Sequence, residues 1–137
     1  MENSRIKFRA WDEENKMFHY FTLFDIWKNI KYPSHVITNH KVYHIKDLPT
    51  DQYIGLKDKN KKEIYEGDVV KAQHQKERKI IGDQFEKIEV VGEVKYEAPS
   101  FFLKLENSLT QNWLDFDSSA EPYEIIGNIY ENPELAK

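Results

Sequence analysis

The chain of 137 residues contains no cysteine, five glycines and five prolines, and each scarcity removes a class of function. Without thiols there is no disulfide framework, no thiolate zinc centre and no cysteine nucleophile, and stability has to come from packing. Five glycines leave little material for a phosphate cradle, and the signatures G-x-x-x-x-G-K-[ST], G-x-G-x-x-G and G-x-S-x-G are all missing. No apolar run approaches the roughly 20 residues needed to cross a bilayer, and the opening Met1-Glu2-Asn3-Ser4-Arg5 has no apolar secretory core. The expectation is a cytoplasmic protein with no membrane partner and no cofactor.

What is present is aromatic and charged. Aromatics make up 14% and charged residues 32% of the chain, and the mean hydropathy is −0.77. Eight Phe, eight Tyr and three Trp are too many for a disordered chain, so one folded domain over residues 1–137 is expected. The net charge of −4 has the wrong sign for a protein held to duplex DNA by counterion release. Its distribution is uneven: residues 56–79 carry eight Lys/Arg against five Asp/Glu, whereas residues 106–137 carry one Lys against seven Asp/Glu.

Hydrophobic periodicity favours strands. Ile6, Phe8 and Ala10 alternate with Lys7, Arg9 and Trp11, and a polar turn then leads to Met17-Phe18-His19-Tyr20-Phe21, the pattern of a β-hairpin. Leu23, Ile26, Trp27 and Ile30 fall at helical spacing and predict one or two helical turns ended by Pro33. Residues 35–48 read as strand. Polar reversals follow at Lys57 to Lys61 and at Glu66-Gly67-Asp68, where Gly67 is expected to supply a positive φ. Gly92 inside a long strand predicts a bulge or bend. Residues 71–91 are expected to form an exposed loop or a long hairpin, since Lys71 to Lys79 has no apolar residue beyond Ala72. Short strands with glycine corners at Gly55, Gly67-Asp68, Gly92 and Gly127 predict a mainly β fold with minor α. The expected form is a small SH3-like or strongly bent β-barrel with an N-terminal hairpin extension.

The residues that could carry chemistry are few. His35, His40 and His44 are spaced so that only a helix would put the second pair on one face, and strand spoils that geometry; a structural or solvent-exposed role is expected, with no metal. Asp115 and Asp117 beside Ser118-Ser119 read as turn chemistry rather than a catalytic pair. Lys71, His74, Lys76, Arg78 and Lys79 form the candidate nucleic-acid contact, with Tyr65, Phe85 and Tyr96 as possible stacking surfaces.

Three blocks carry a family resemblance. They are Ile6-Lys7-Phe8-Arg9-Ala10-Trp11-Asp12, the stretch from Tyr53-Ile54-Gly55-Leu56-Lys57-Asp58 to Glu63-Ile64-Tyr65-Glu66-Gly67-Asp68, and Glu124-Ile125-Ile126-Gly127-Asn128-Ile129-Tyr130 with the residues to Leu135. In these blocks the chain resembles the YopX family of phage and prophage proteins, while residues 73–91 look longer and more charged than that family. The resemblance implies an accessory gene product working in a bacterial host, a small β domain without a recognised catalytic set, and it transfers no functional residue. The expected function is non-enzymatic: a binding or adaptor module for a phage or host protein, with homo-oligomers an open alternative. A single-stranded nucleic-acid binder using the basic segment 71–79 is the second reading.

Overall fold

The computed structural model describes residues 6–23, 25, 35–38, 41–44, 48–77, 85–98, 100–105, 113–116 and 122–136. Eleven strands account for most of them, and the mainly β expectation holds. They are β1 (Lys7–Asp12), β2 (Met17–Thr22), β3 (His35–Thr38), β4 (Lys41–His44), β5 (Thr50–Lys57), β6 (Glu63–Tyr65), β7 (Asp68–Glu77), β8 (Phe85–Glu97), β9 (Ser100–Leu105), β10 (Trp113–Asp115) and β11 (Glu124–Asn128), followed by a 3₁₀ turn at Pro133–Ala136. The sheets have the orders β2-β1-β5-β6, β10-β9-β8-β7-β11 and β3-β4. The chain divides into two compact units, Met1–Gly55 and Leu56–Lys137.

In the first unit β1 is central. It pairs with β2 from Lys7↔Thr22 to Asp12↔Met17, and with β5 through Phe8↔Gln52, Arg9↔Asp51 and Ala10↔Thr50. Alternation then sorts its two faces. Ala10 and Phe21 are buried with Phe8 and Leu48 packed against them, and the Phe8 and Phe21 rings stack at 5.5 Å. The opposite face buries Trp11, whose ring meets Phe18 edge-on at 4.9 Å. The turn between β1 and β2 is closed by the Asp12 carboxylate, which accepts the Asn15 amide at 3.1 Å, and Lys16 takes a φ of 53° to reverse the chain. β3 comes close to β2 but belongs to a separate two-stranded sheet.

In the second unit one face of the five-stranded sheet is apolar. Val70, Ala72, Val94, Leu103, Leu105 and Leu114 are all buried, and the registers Val94↔Leu103 and Leu103↔Leu114 set three of them side by side across β8, β9 and β10. Three side chains organise its corners. Asp58 accepts the amides of Asn60 and Lys62 on one carboxylate oxygen, each at 2.9 Å, and that of Ile125 on the other. Asp68 accepts the Tyr65 amide at 2.8 Å, closing the Glu66-Gly67 turn. Asn128 accepts the amides of Tyr130 and Glu131.

Gly67 has a φ of 88°, as its turn requires. Its amide donates to Val94 O and its carbonyl accepts the Ile129 amide, both at 2.9 Å.

Several expectations need correction. The sheets do not close: β10 and β11 end one of them, β2 and β6 another, so neither an SH3-like nor a bent barrel forms. The Glu-Gly-Asp corner that suggested a barrel is what any tight turn between two strands requires. The N-terminal hairpin exists, but β1 lies inside its sheet rather than forming an appendage. Gly92 is not at a bulge, because the β7–β8 and β8–β9 registers run through it without a shift; a Cβ there would lie 2.7 Å from Lys104 O. The irregularity sits in β11, where the register shifts between Ile125 and Gly127. Of the apolar positions of the predicted helical turn only Leu23 is described; Ile26, Trp27 and Ile30 lie outside the described residues, as does Pro33, and the elements of the described residues include no α-helix.

Candidate functional site

The basic segment is strand as far as Glu77. β7 and β8 form a long hairpin in which Lys71↔Val91, His74↔Ile88, Lys76↔Glu86 and Glu77↔Phe85 are partners. Arg78 and Lys79 lie outside the described residues. Residues 71–77 are therefore strand, paired with residues 85–91 of β8. One of the charges is met by a carboxylate, since Lys71 Nζ lies 3.7 Å from Glu124, and Lys76 is placed by its backbone, as the register partner of Glu86. Of the stacking candidates, Tyr65 is buried and unavailable, whereas Tyr96 is 51% exposed with its ring 5.0 Å from that of Phe101. Phe85 is placed only by its backbone, at the start of β8.

A small cleft lies beside this hairpin. Lys59, Lys71, Ala72, Gln73, Glu89 and Glu124 contribute to its lining, and it encloses about 110 Å³. The register explains the meeting of Lys71 with Glu124, which are partners across β7 and β11. Lys59 is delivered by the Asp58 turn, whose Lys59 amide donates to Tyr123 O. Glu124 accepts a hydrogen bond from Lys59 at 2.7 Å; this bond, with Lys71 further off, holds its carboxyl below the usual carboxylate range. Two ammonium groups and two carboxylates nearly cancel. The volume is well under the roughly 300 Å³ at which small-molecule sites begin, so the cleft suits a few polar atoms rather than a nucleotide.

Two ionisable pairs of the first unit are buried. Arg9 Nε donates to Asp51 Oδ2 at 3.2 Å with both side chains shielded, and the Arg9 guanidinium lies 4.2 Å over the Phe18 ring. His19 Nε2 and Asp12 Oδ2 are 3.0 Å apart. Hydrogen bonds from His19 first, then from Asn15, hold the Asp12 carboxyl well below its ordinary value. Sequence reasoning passed over all four residues, because an alternating strand pattern gives its polar positions to solvent. The one available signal was Trp11 standing among them.

Of the remaining candidates, Asp115 is exposed on β10 and Asp117 lies outside the described residues. Gly55 has a φ of 92°. His35 and His44 occupy strands, and His40 lies outside the described residues. Among the described residues no group of three or more His, Cys, Asp or Glu is arranged to hold a metal ion. No helix among them is long and apolar enough to cross a membrane.

The family profile described as YopX protein matches residues 7–137. The chain belongs to the YopX family. Polar positions within the sequence blocks that carried the resemblance acquire a physical meaning here, since Asp58, Asp68 and Asn128 each accept backbone amides at a corner. A solved relative in fold is the crystal structure of protein EF1440 from Enterococcus faecalis, which aligns with a TM-score of 0.58 at 25% identity, over 96% of this chain and 98% of that one. No curated protein matches the sequence.

Proposed function

We propose that this YopX protein is a non-enzymatic accessory module of phage or prophage origin, working in the cytoplasm of a bacterial host. In this reading it binds a phage or host protein by adding an extended segment of that partner to strand β2. The supporting observation is how differently the sheet ends are guarded. Natural edges are blunted by short length, charge or bulges. β6 and β10 have three residues each, and β11 carries Glu124 and the register shift. β2 ends its sheet too, yet its six residues, Met-Phe-His-Tyr-Phe-Thr, include no Lys, Arg, Asp, Glu, Pro or Gly. Tyr20 is 58% and Met17 39% exposed. The occupant that fits is an uncharged extended peptide presenting an apolar residue to Tyr20, held mainly by main-chain hydrogen bonds.

Lysine at position 20 restores the usual guard, so Tyr20→Lys is expected to abolish partner capture without changing the melting temperature. A photo-crosslinker placed at Tyr20 in cells carrying the phage should then join to one extended segment of one protein. Cross-linking to a second copy of this chain would make the partner a homo-oligomer, and capture unaffected by Tyr20→Lys would refute the reading. The nucleic-acid alternative has less support, given the net charge of −4 and the Glu124 carboxylate beside Lys71. Strong, salt-sensitive retention on single-stranded DNA would restore it.

A further inference from the structure

The cleft beside the β7–β8 hairpin is close to neutral as a whole, but its charges are sorted by strand. β7 lies between β11 and β8 in the sheet. Glu124↔Lys71 and Gln73↔Glu89 are register partners, so alternation puts these four side chains on one face, with Glu124 and Glu89 on opposite sides of β7. On the β11 side the Glu124 carboxylate already has Lys59 at 2.7 Å and Lys71 at 3.7 Å, which leaves that side one positive charge in excess. On the β8 side Glu89 lines the cleft with a negative charge. Gln73 lines it from β7 itself, with an amide that can both donate and accept.

A cleft charged in this way favours neither a simple anion nor a simple cation. An anion drawn to Lys71 is repelled by Glu124 beside it, and a cation drawn to Glu89 is repelled by the lysines across the cleft. A ligand that holds both charges on one carbon pairs with both sides at once. Lys71 pairs with Val91, so Glu89 is its diagonal neighbour on the next strand, a relation of about 7–8 Å that two long side chains can close on a small molecule between them. From this arrangement we infer that the cleft binds the zwitterionic head of a small free α-amino acid, glycine or alanine, with the ligand carboxylate toward Lys71 and Lys59 and its ammonium toward Glu89.

The size agrees. At about 30 Å³ for each water of the liquid, the cleft's 110 Å³ holds roughly three or four waters, the bulk of an amino-acid head group with a hydrogen or methyl side chain. Glu89 and Gln73 are exposed and Lys71 half-buried, so the ligand enters and leaves freely and each ion pair contributes little. Occupancy also has a structural consequence: the ligand ties β8 to the side of β11 across β7, where the sheet's own hydrogen bonds join only adjacent strands.

The test is an NMR titration of the full chain with alanine, which should shift the amides of Lys71, Gln73 and Glu89 to saturation with a dissociation constant on the order of millimolar. Propionate and ethylammonium each keep one of alanine's two charges, and each should bind at least about threefold more weakly than alanine. Lys71→Met and Glu89→Gln should each weaken alanine binding by about threefold or more. Should Lys71→Met fail to fold, the three ligands compared on the unaltered chain, together with Glu89→Gln at its exposed position, decide the matter. Absence of saturable shifts, shifts centred away from the cleft, propionate or ethylammonium binding as tightly as alanine, or affinity unchanged in a folded variant would each overturn the assignment.

Discussion

The Ile125 amide donates to Asp58 Oδ2 at 3.1 Å across 67 positions of sequence. The other oxygen of the same carboxylate holds the amides of Asn60 and Lys62, so one side chain both shapes a local turn and fixes where the last strand enters the sheet.

Asp58→Ala strips three amides of their acceptor at once. Water can reach those of the exposed Asn60 and Lys62, which limits the cost to about 2–3 kcal/mol. Urea denaturation should show the loss, and Asp58→Asn, which keeps one acceptor oxygen, should recover part of it.

Two glycines should fail for different reasons. Gly67→Val forces a side chain into a φ of 88° and should cost about 1 kcal/mol or more. Gly92→Ala asks only for a methyl group, but that methyl meets Lys104 O in the middle of the sheet, and the strain should cost about 1–3 kcal/mol. Melting curves of the two variants measure both. An unperturbed Gly92→Ala protein would mean that β8 and β9 separate there easily.

The Arg9–Asp51 pair invites a double-mutant cycle. Because both side chains are buried, Arg9→Met should take the guanidinium from the Asp51 carboxylate and cost about 3 kcal/mol or more. Adding Asp51→Leu should return a measurable part of it. Strict additivity of the two substitutions would show that the pair is not coupled.

Acid stability should depend on Asp12. Its native carboxyl titrates below the roughly 3.9 of an unfolded chain, so between the two values the unfolded state binds more protons and stability falls as pH drops. The contribution of this group is complete above about pH 4 and is lost progressively in stronger acid. Asp12→Asn should flatten that acid limb, as followed by circular dichroism from pH 5 downward.

How far the sequence speaks depends on what each signal physically reports. Period-two alternation in residues 6–21 located β1 and β2, because an apolar stripe marks a face that must be buried. The glycine and aspartate at 67 and 68 located a turn, because few residues tolerate that backbone. Whether Lys71 to Glu77 is loop or hairpin stays open in the sequence, since hydropathy reports what a segment buries and not what its backbone hydrogen-bonds; a polar ribbon pairs as well as an apolar one. Gly92 was misread for a related reason: a strand glycine signals either a bulge or a close neighbour, and the neighbour, Lys104, is known only from the register. The Arg9–Asp51 and His19–Asp12 pairs, the Lys59–Glu124 contact and the openness of the sheets depend on pairings between distant segments, and no local pattern encodes those.

The double engagement of Gly67 also has a temporal side. Its amide needs Val94 and its carbonyl needs Ile129, so on the ribosome the corner is written early and fastened late. A nascent chain that has released Val94 but not yet Ile129 can fasten the Gly67 amide while its carbonyl still waits for a partner. Non-local pairing of this kind is slow to form and leaves strand edges open in the interval. The second unit is therefore most vulnerable to proteases and to mispairing during its own synthesis, and the closing segment around Ile129 acts as the latch that ends that exposure.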